Sequence, residues 1–292
     1  MCLFPQKVIM YEVVDELTGE VKKQFMFRSQ DKIEEVFDKL KYDNKEIIEV
    51  PCNKCLECFE QKAKEWSFRI EKECQKFAKN CFITLTYENS PGSLNKRDFQ
   101  LFLKRLRKSV FPLKIRYFGC GEYGSKGLRP HYHFIIFNYM PDDCFLLKYD
   151  HKGFPIYVSD KLAKLWGKGF ISVQEANVYN AKYCAKYMQK FIELPDDFVK
   201  PFVCMSTHPG IGYDYFFENR ESLLITDKLY SKGYYIKLPR YFEKLAIKNG
   251  DVLAVNRIHE ERKNKFVLSK NLIDLENKRL KYELLFDKLK VF

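Results

Sequence analysis

The sequence predicts an α+β protein, a mostly antiparallel sheet flanked by helices and followed by a helical C-terminal part. Three observations lead there. Short β-branched and aromatic runs alternate with stretches whose apolar residues fall three or four apart. Two of the strand-like runs, Ile115 to Cys120 and His131 to Asn138, are joined by a short Gly-rich segment, and a tight hairpin implies antiparallel pairing. Finally, 292 residues with 46% hydrophobic and 16% aromatic content can bury a proper core, which excludes a disordered chain.

The elements follow in order. Val8 to Val14 and Val21 to Phe27 read as a hairpin across Asp15-Glu16-Leu17-Thr18-Gly19-Glu20, and Ile33, Val36, Phe37 and Leu40 have helical spacing. Residues 1–50 are therefore expected to form an N-terminal hairpin and short helix. Pro51 marks a break. Phe59, Ala63, Trp66, Ile70, Cys74 and Phe77 give a helix from Leu56 to Phe77, and Cys81 to Tyr87 a strand. Asn95 is placed to cap a helix to about Lys108, with Phe99, Phe102, Leu103 and Leu106 inward. After the hairpin around Glu122 come a short helix at Leu162 to Trp166, a strand at Phe170 to Val173 and a helix at Asn177 to Phe191. These complete a central domain over 51–200. Pro209-Gly210-Ile211-Gly212 is a loop, and two helical patterns and a tail rich in Lys, Glu, Leu and Asn make 201–292 mainly helical.

The chain carries 51 Lys+Arg against 39 Asp+Glu, a net charge of +12. That favours a polyanion as partner, with ordinary solubility as the plain alternative. No stretch approaches about eighteen consecutive apolar residues, so no membrane span is expected. The start, Met1 to Lys7, lacks the order of a secretory signal, and ten cysteines are expected to be reduced thiols or metal ligands in a cytosol. The polar face of the Asn95 helix holds Lys96, Arg97, Lys104, Arg105, Arg107 and Lys108. It is either a solvated face or a set of phosphate contacts.

Arg129-Pro130-His131-Tyr132-His133-Phe134-Ile135-Ile136-Phe137 is the most informative stretch. Side chains alternate along a strand, so His131 and His133 share a face, with Cα atoms about 7 Å apart. Two such imidazoles can share a metal, or can be ordinary surface histidines. Glu122, nine residues earlier and across a Gly-containing turn, can complete a His-His-carboxylate face in a hairpin, or be a solvated turn residue. The complete set would suit Mn²⁺ or Mg²⁺ as a Lewis acid. On the Asn177 helix Tyr179, Tyr183 and Tyr187 form one stripe, and Lys182, Lys186 and Lys190 a neighbouring one. An aromatic stripe can be core. A phenol beside an ammonium and a metal-polarised electrophile can instead be a nucleophile. Cys52, Cys55 and Cys58 have zinc-type spacing but are one ligand short. Cys74, Cys81 or a residue of the first fifty can supply the fourth ligand; buried packing or a redox cluster are the alternatives.

His131-Tyr132-His133 resembles the histidine signature of the HUH endonucleases, the rolling-circle replication initiators. Phe82-Ile83-Thr84-Leu85-Thr86-Tyr87 resembles their first motif strand, and Tyr183-x-x-Lys186, repeated as Tyr187-x-x-Lys190, their tyrosine motif. The match narrows further. Pro51-Cys52-x-x-Cys55-x-x-Cys58, Trp66, Asp98-Phe99-Gln100, Arg116-Tyr117-Phe118, Gly121-Glu122-Tyr123-Gly124, Trp166-Gly167-Lys168-Gly169, Pro209-Gly210-Ile211-Gly212 and Pro239-Arg240-Tyr241 resemble replication initiators of gokushovirus-type microviruses. The resemblance covers roughly residues 50 to 245.

This resemblance implies a metal-dependent enzyme of the host bacterial cytoplasm that nicks and rejoins single-stranded phage origin DNA. It implies Tyr183 and Tyr187 as nucleophiles assisted by Lys186 and Lys190, and His131, His133 and Glu122 as ligands of Mn²⁺ or Mg²⁺. Arg105, Arg107, Lys108 and Arg129 are the expected DNA contacts. With no Walker-type G-x-x-x-x-G-K-[ST] motif, dependence on a host helicase is expected, as well as on a host polymerase. The competing reading is a non-enzymatic single-stranded nucleic-acid-binding protein with a structural cysteine-bound Zn²⁺, in which the histidines and tyrosines are structural.

Overall fold

The computed structural model describes the chain except for residues 1, 3, 18, 20, 43, 125–126, 178, 181–182, 185–193, 232–233, 269–279 and 281–292. It divides into two compact units, Met1–Gln61 with Val267–Phe292, and Lys62–Phe266. The architecture is α+β.

In the first unit β1 (Gln6–Val14) pairs antiparallel with both β2 (Val21–Met26) and β3 (Glu46–Val50). Ile9 and Tyr11 point to one side of β1, as a two-residue period requires, and pack with Ile33 of α1 (Ile33–Lys39). The hairpin and short helix read from the sequence are therefore present. β3 was not expected: Glu46-Ile47-Ile48-Glu49-Val50 does not alternate, because both isoleucines are half-buried. The helix α2 (Leu56–Gln75) starts within this unit.

The second unit is built on a seven-stranded antiparallel sheet. Its strands are β4 (Asn80–Thr86), β5 (Arg116–Tyr123), β6 (Pro130–Phe137), β7 (Cys144–Tyr149), β8 (Pro155–Ser159), β9 (Ile171–Glu175) and β10 (Phe202–Met205), in the order β10-β5-β6-β4-β9-β8-β7. Alternation along β6 sorts the core into two layers. Tyr132, Phe134 and Ile136 face a cluster with Phe99, Phe102, Leu103 and Leu106 of α3 (Lys96–Ser109) and Trp166 of α4 (Asp160–Trp166). Ile135 and Phe137 face the other way, onto Phe82, Phe118, Ile70 of α2, Cys184 and Ile211. Burying each α3 anchor contributes about 1.5–3 kcal/mol. The helix starts where expected, since the Asn95 side chain accepts the Arg97 N–H at 2.9 Å. A third cluster joins α5 (Tyr213–Thr226), α6 (Arg240–Lys248) and α7 (Val252–Leu268), with the hairpin β11 (Lys228–Ser231) and β12 (Tyr234–Lys237) packed between them.

The stretch Gly119 to Gly124, expected to be the hairpin turn, is strand up to Tyr123, and the turn lies beyond Gly124. The glycines answer to packing. A Cβ on Gly119 would sit 2.2 Å from Phe134 Cδ1 and 2.6 Å from His133 O, so the ring of Phe134 occupies that space. Of the expected Asn177 to Phe191 helix, residues 179–180 and 183–184 are helical, and 185–191 lie outside the described residues. Residues 201–292 hold β10, β11 and β12 besides their helices.

Candidate metal and nucleophile site

Register brings the site together. In the β5–β6 ladder Glu122 lies opposite His131, and in the β4–β6 ladder Thr84 lies opposite His133. Glu122 Oε1 is 2.9 Å from His131 Nε2 and 3.0 Å from His133 Nε2. The three donor groups lie within 4.8 Å of one another. Glu122 is only 2% exposed and His133 6%. These are neither a surface pair nor a solvated turn residue.

The far side of each imidazole is also held. His131 Nδ1 is 3.0 Å from the Arg129 carbonyl, which can only accept, so this nitrogen carries a proton. The neutral ring then presents a bare Nε2 lone pair toward Glu122, the form a metal needs. His133 Nδ1 is 3.0 Å from the Thr84 hydroxyl. Burial would raise the Glu122 carboxyl, but the hydrogen bonds from His131 and His133 outweigh it and hold it below the usual carboxylate range. Its second oxygen, Oε2, is buried with no partner among the described residues, an orphan polar atom that a cation would satisfy. Two imidazoles and a carboxylate with this geometry fit a divalent ion with open positions. No metal identity follows from the geometry.

Tyr183 stands beside this group. Its hydroxyl is 3.5 Å from Glu122 Oε1, and its ring meets His133 edge-on at 5.0 Å between centroids. The next residue, Cys184, is fully buried against the sheet. Tyr179 points elsewhere, to Phe154 at 5.9 Å and under Lys152 Nζ at 4.5 Å. Tyr187, Lys186 and Lys190 lie outside the described residues.

Arg105, Arg107, Lys108 and Arg129 are all exposed. Arg105 also gives Nε to the Leu165 carbonyl at 2.6 Å, and Arg129 gives Nη2 to that of Tyr87 at 2.8 Å. Arg107 lies 5.4 Å from the Tyr117 ring centroid. Cys52, Cys55 and Cys58 do come together, and the fourth thiol in the cluster is Cys2. Cys74 and Cys81 lie in the sheet's own core layers.

Two arrangements escaped sequence reasoning. Thr84 is in phase with the histidine face, and the alternation of Phe82-Ile83-Thr84-Leu85-Thr86 was the available signal. The second unites motif residues with no assigned chemistry. Glu73 Oε1 accepts from Arg116 Nε at 2.6 Å, and Glu73 Oε2 from the Gly212 N–H at 2.7 Å. Arg69 donates to the Ile211 carbonyl at 3.0 Å, its guanidinium between the rings of Trp66 and Tyr241. This clasp seats Ile211 against the layer that holds Cys184, next to Tyr183. Trp166-Gly167-Lys168-Gly169 docks on the end of β4, where Trp166 Nε1 donates to the Thr86 carbonyl at 2.9 Å.

An antiparallel sheet bearing a His-His-Glu donor face with a phenol beside it defines the class of site. Residues 80–192, which contain all of it, match the family of the replication-associated protein ORF2. The chain is 34% identical over 234 residues to the replication-associated protein ORF2 of Spiroplasma virus 4, covering 71% of this chain and 72% of that one. It is 31% identical over 219 residues to the replication-associated protein VP4 of Bdellovibrio phage phiMH2K, covering 68% of each. It is also 31% identical over 211 residues to the replication-associated protein ORF4 of Chlamydia phage 1, covering 67% of this chain and 53% of that one. The chain belongs to this family of microvirus replication-associated proteins. No solved structure matches it. Among the described residues no helix is long and apolar enough to cross a membrane.

Proposed function

We propose that the protein initiates rolling-circle replication by nicking single-stranded phage origin DNA in the host bacterial cytoplasm. The observation that carries this reading is the convergence of His131, His133, Glu122 and the Tyr183 hydroxyl on one point of the sheet. A set of merely structural side chains would not leave a buried carboxylate oxygen orphaned there. This favours the enzyme over a non-enzymatic binding protein.

In the proposed reaction the two Nε2 atoms and the Glu122 carboxylate hold Mn²⁺ or Mg²⁺. The bound ion supplies Lewis-acid stabilisation of charge on the scissile phosphate, typically worth several kcal/mol. The tyrosine oxygen bonds to phosphorus as the bond to the 3′ oxygen breaks, leaving a 5′-phosphotyrosyl link. The phenol proton is lost to solvent, and the departing 3′ oxygen gains one and becomes the primer end for a host polymerase, behind a host helicase. Attack by a 3′ hydroxyl on the phosphotyrosine reverses the step and joins the ends. Tyr183 and Tyr187, about 6 Å apart along a helix by the rise of four residues, would take turns. Lys186 and Lys190 would steady the phosphate or the departing oxygen for the tyrosine three residues before each.

The test uses a labelled single-stranded phage origin circle, with Mn²⁺ and then with a chelator. Metal-dependent linear product from the wild-type chain is the expected result. Specific binding of the circle without any cleavage, under every divalent metal tried, would leave the non-enzymatic reading standing instead.

A further inference from the structure

The proposed reaction uses none of the four thiols in the first unit. Cys52 and Cys58 are 8% exposed and Cys55 1%. All four sulfurs, Cys2 included, lie within 4.8 Å of one another. We propose that Cys2, Cys52, Cys55 and Cys58 bind one structural Zn²⁺ ion in a closed tetrahedral site.

The separations carry the argument. A tetrahedron with Zn–S bonds of about 2.3 Å has edges of about 3.8 Å. Cys2 Sγ and Cys55 Sγ are 3.8 Å apart, and Cys52 Sγ and Cys58 Sγ 4.0 Å. These pairs share no atom, so they are opposite edges of such a tetrahedron. A disulfide would need about 2.05 Å, and all four cysteines are free.

The surroundings fit thiolates better than packed thiols. Cys52 Sγ accepts the N–H groups of Lys54 and Cys55 at 3.4 and 3.3 Å, and Cys2 Sγ accepts that of Cys52 at 3.2 Å. Asn53, at φ 58°, turns the backbone so that two N–H groups reach one sulfur. Cys55 and Cys58 flank the first turn of α2, whose N-terminal partial charge favours anionic sulfur. Among the described residues no aliphatic side chain shares this cluster, and beyond the cysteines Phe4 packs against it. Thiols buried as small hydrophobes would sit among aliphatics, as Cys81 does beside Ile83 and Leu85.

Sequence spacing does not reveal Cys2, fifty residues from Cys52. The β1–β3 ladder supplies it: Gln6 pairs with Val50, so the residues before β1 and those after β3 emerge side by side. With four sulfur ligands no coordination position is left for substrate, so the site is structural. It fastens the start of the chain to the start of α2.

The experiment measures metal content of the full chain, purified without chelator, and the visible spectrum after exchange into Co²⁺. One equivalent of zinc per chain is expected, with thiolate-to-cobalt charge transfer and tetrahedral d–d bands. His131→Ala with His133→Ala should keep that equivalent and those bands, as should Cys74→Ser. Cys55→Ser and Cys2→Ser should each lose the bands. A wild-type chain whose thiols all titrate with no zinc present would overturn the proposal, as would iron in the site. Retention of the full cobalt spectrum by Cys2→Ser would overturn the four-sulfur assignment. The wild-type spectrum decides the matter even if a variant fails to fold, and it is independent of whether the chain nicks DNA.

Discussion

Thr84→Val removes one hydroxyl and keeps the side chain's shape. In the protein that hydroxyl is 3.0 Å from His133 Nδ1. If His133 Nε2 binds a cation, the ring's proton must be on Nδ1, where Thr84 accepts it. In the valine variant that N–H would be buried and deprived of this acceptor, since His133 is 6% exposed, at a cost of about 1–3 kcal/mol. The metal-free protein can escape much of the cost by moving the proton to Nε2, which faces Glu122 Oε1 at 3.0 Å. The metal-bound protein cannot. The loss therefore falls on the bound state, and at 1.4 kcal/mol per tenfold it weakens metal affinity by roughly 10- to 100-fold. Isothermal titration with Mn²⁺, alongside nicking rate against Mn²⁺ concentration, measures it. Thr84→Ser should restore wild-type affinity. Equal affinity in the valine variant, with the fold intact by circular dichroism, would refute the idea that Thr84 fixes the ring's tautomer.

Other expectations follow from the same geometry. His131→Ala and His133→Ala should each abolish Mn²⁺-dependent nicking while leaving DNA binding largely intact, read by gel cleavage and by fluorescence anisotropy; nicking at an unchanged rate would count against the metal face. Arg107→Ala with Lys108→Ala should reduce the slope of log affinity against log salt for single-stranded DNA by about 0.7 for each phosphate no longer neutralised. This pair is chosen because Arg105 also tethers α4 through the Leu165 carbonyl, so its removal would mix folding with binding. Glu73→Ala should destabilise the second unit by about 3–5 kcal/mol in urea unfolding, because Arg116 loses its buried carboxylate partner. A change within about 0.5 kcal/mol would mean the clasp contributes nothing.

Much of this was legible in the sequence because local pattern and tertiary role agree. His131 and His133 share a strand face through period-two alternation alone, and Asn95 caps α3 as its position suggests. Glu122 was identified, but on the wrong kind of element. Gly119, Gly121 and Gly124 imitate a turn, whereas the ring of Phe134 is what excludes a side chain at Gly119. β7 carries no alternating pattern: Phe145, Leu146, Leu147 and Tyr149 lie on an edge strand and are all exposed. β10, Phe202-Val203-Cys204-Met205, is four half-buried residues at the other edge, too short for a periodic signal. Cys2 and the Glu73–Arg116 pair depend on long-range register, which no spacing in one sequence encodes. The Tyr183 contact with Glu122 has the same origin, sixty-one residues apart in the chain.

The central claim is that a tyrosine of this helix becomes bonded to DNA at the His-His-Glu face. The most direct measurement is mass spectrometry of the peptide–oligonucleotide adduct formed with single-stranded origin DNA and Mn²⁺. It would be run on the wild type, on Tyr183→Phe, on Tyr187→Phe and on the double variant. The expected adduct lies on Tyr187 when Tyr183 is replaced, on Tyr183 when Tyr187 is replaced, and on neither when both are. Closed unit-length circles should then come only from the wild type. An adduct on Tyr179, or one that persists in the double variant, would contradict the account.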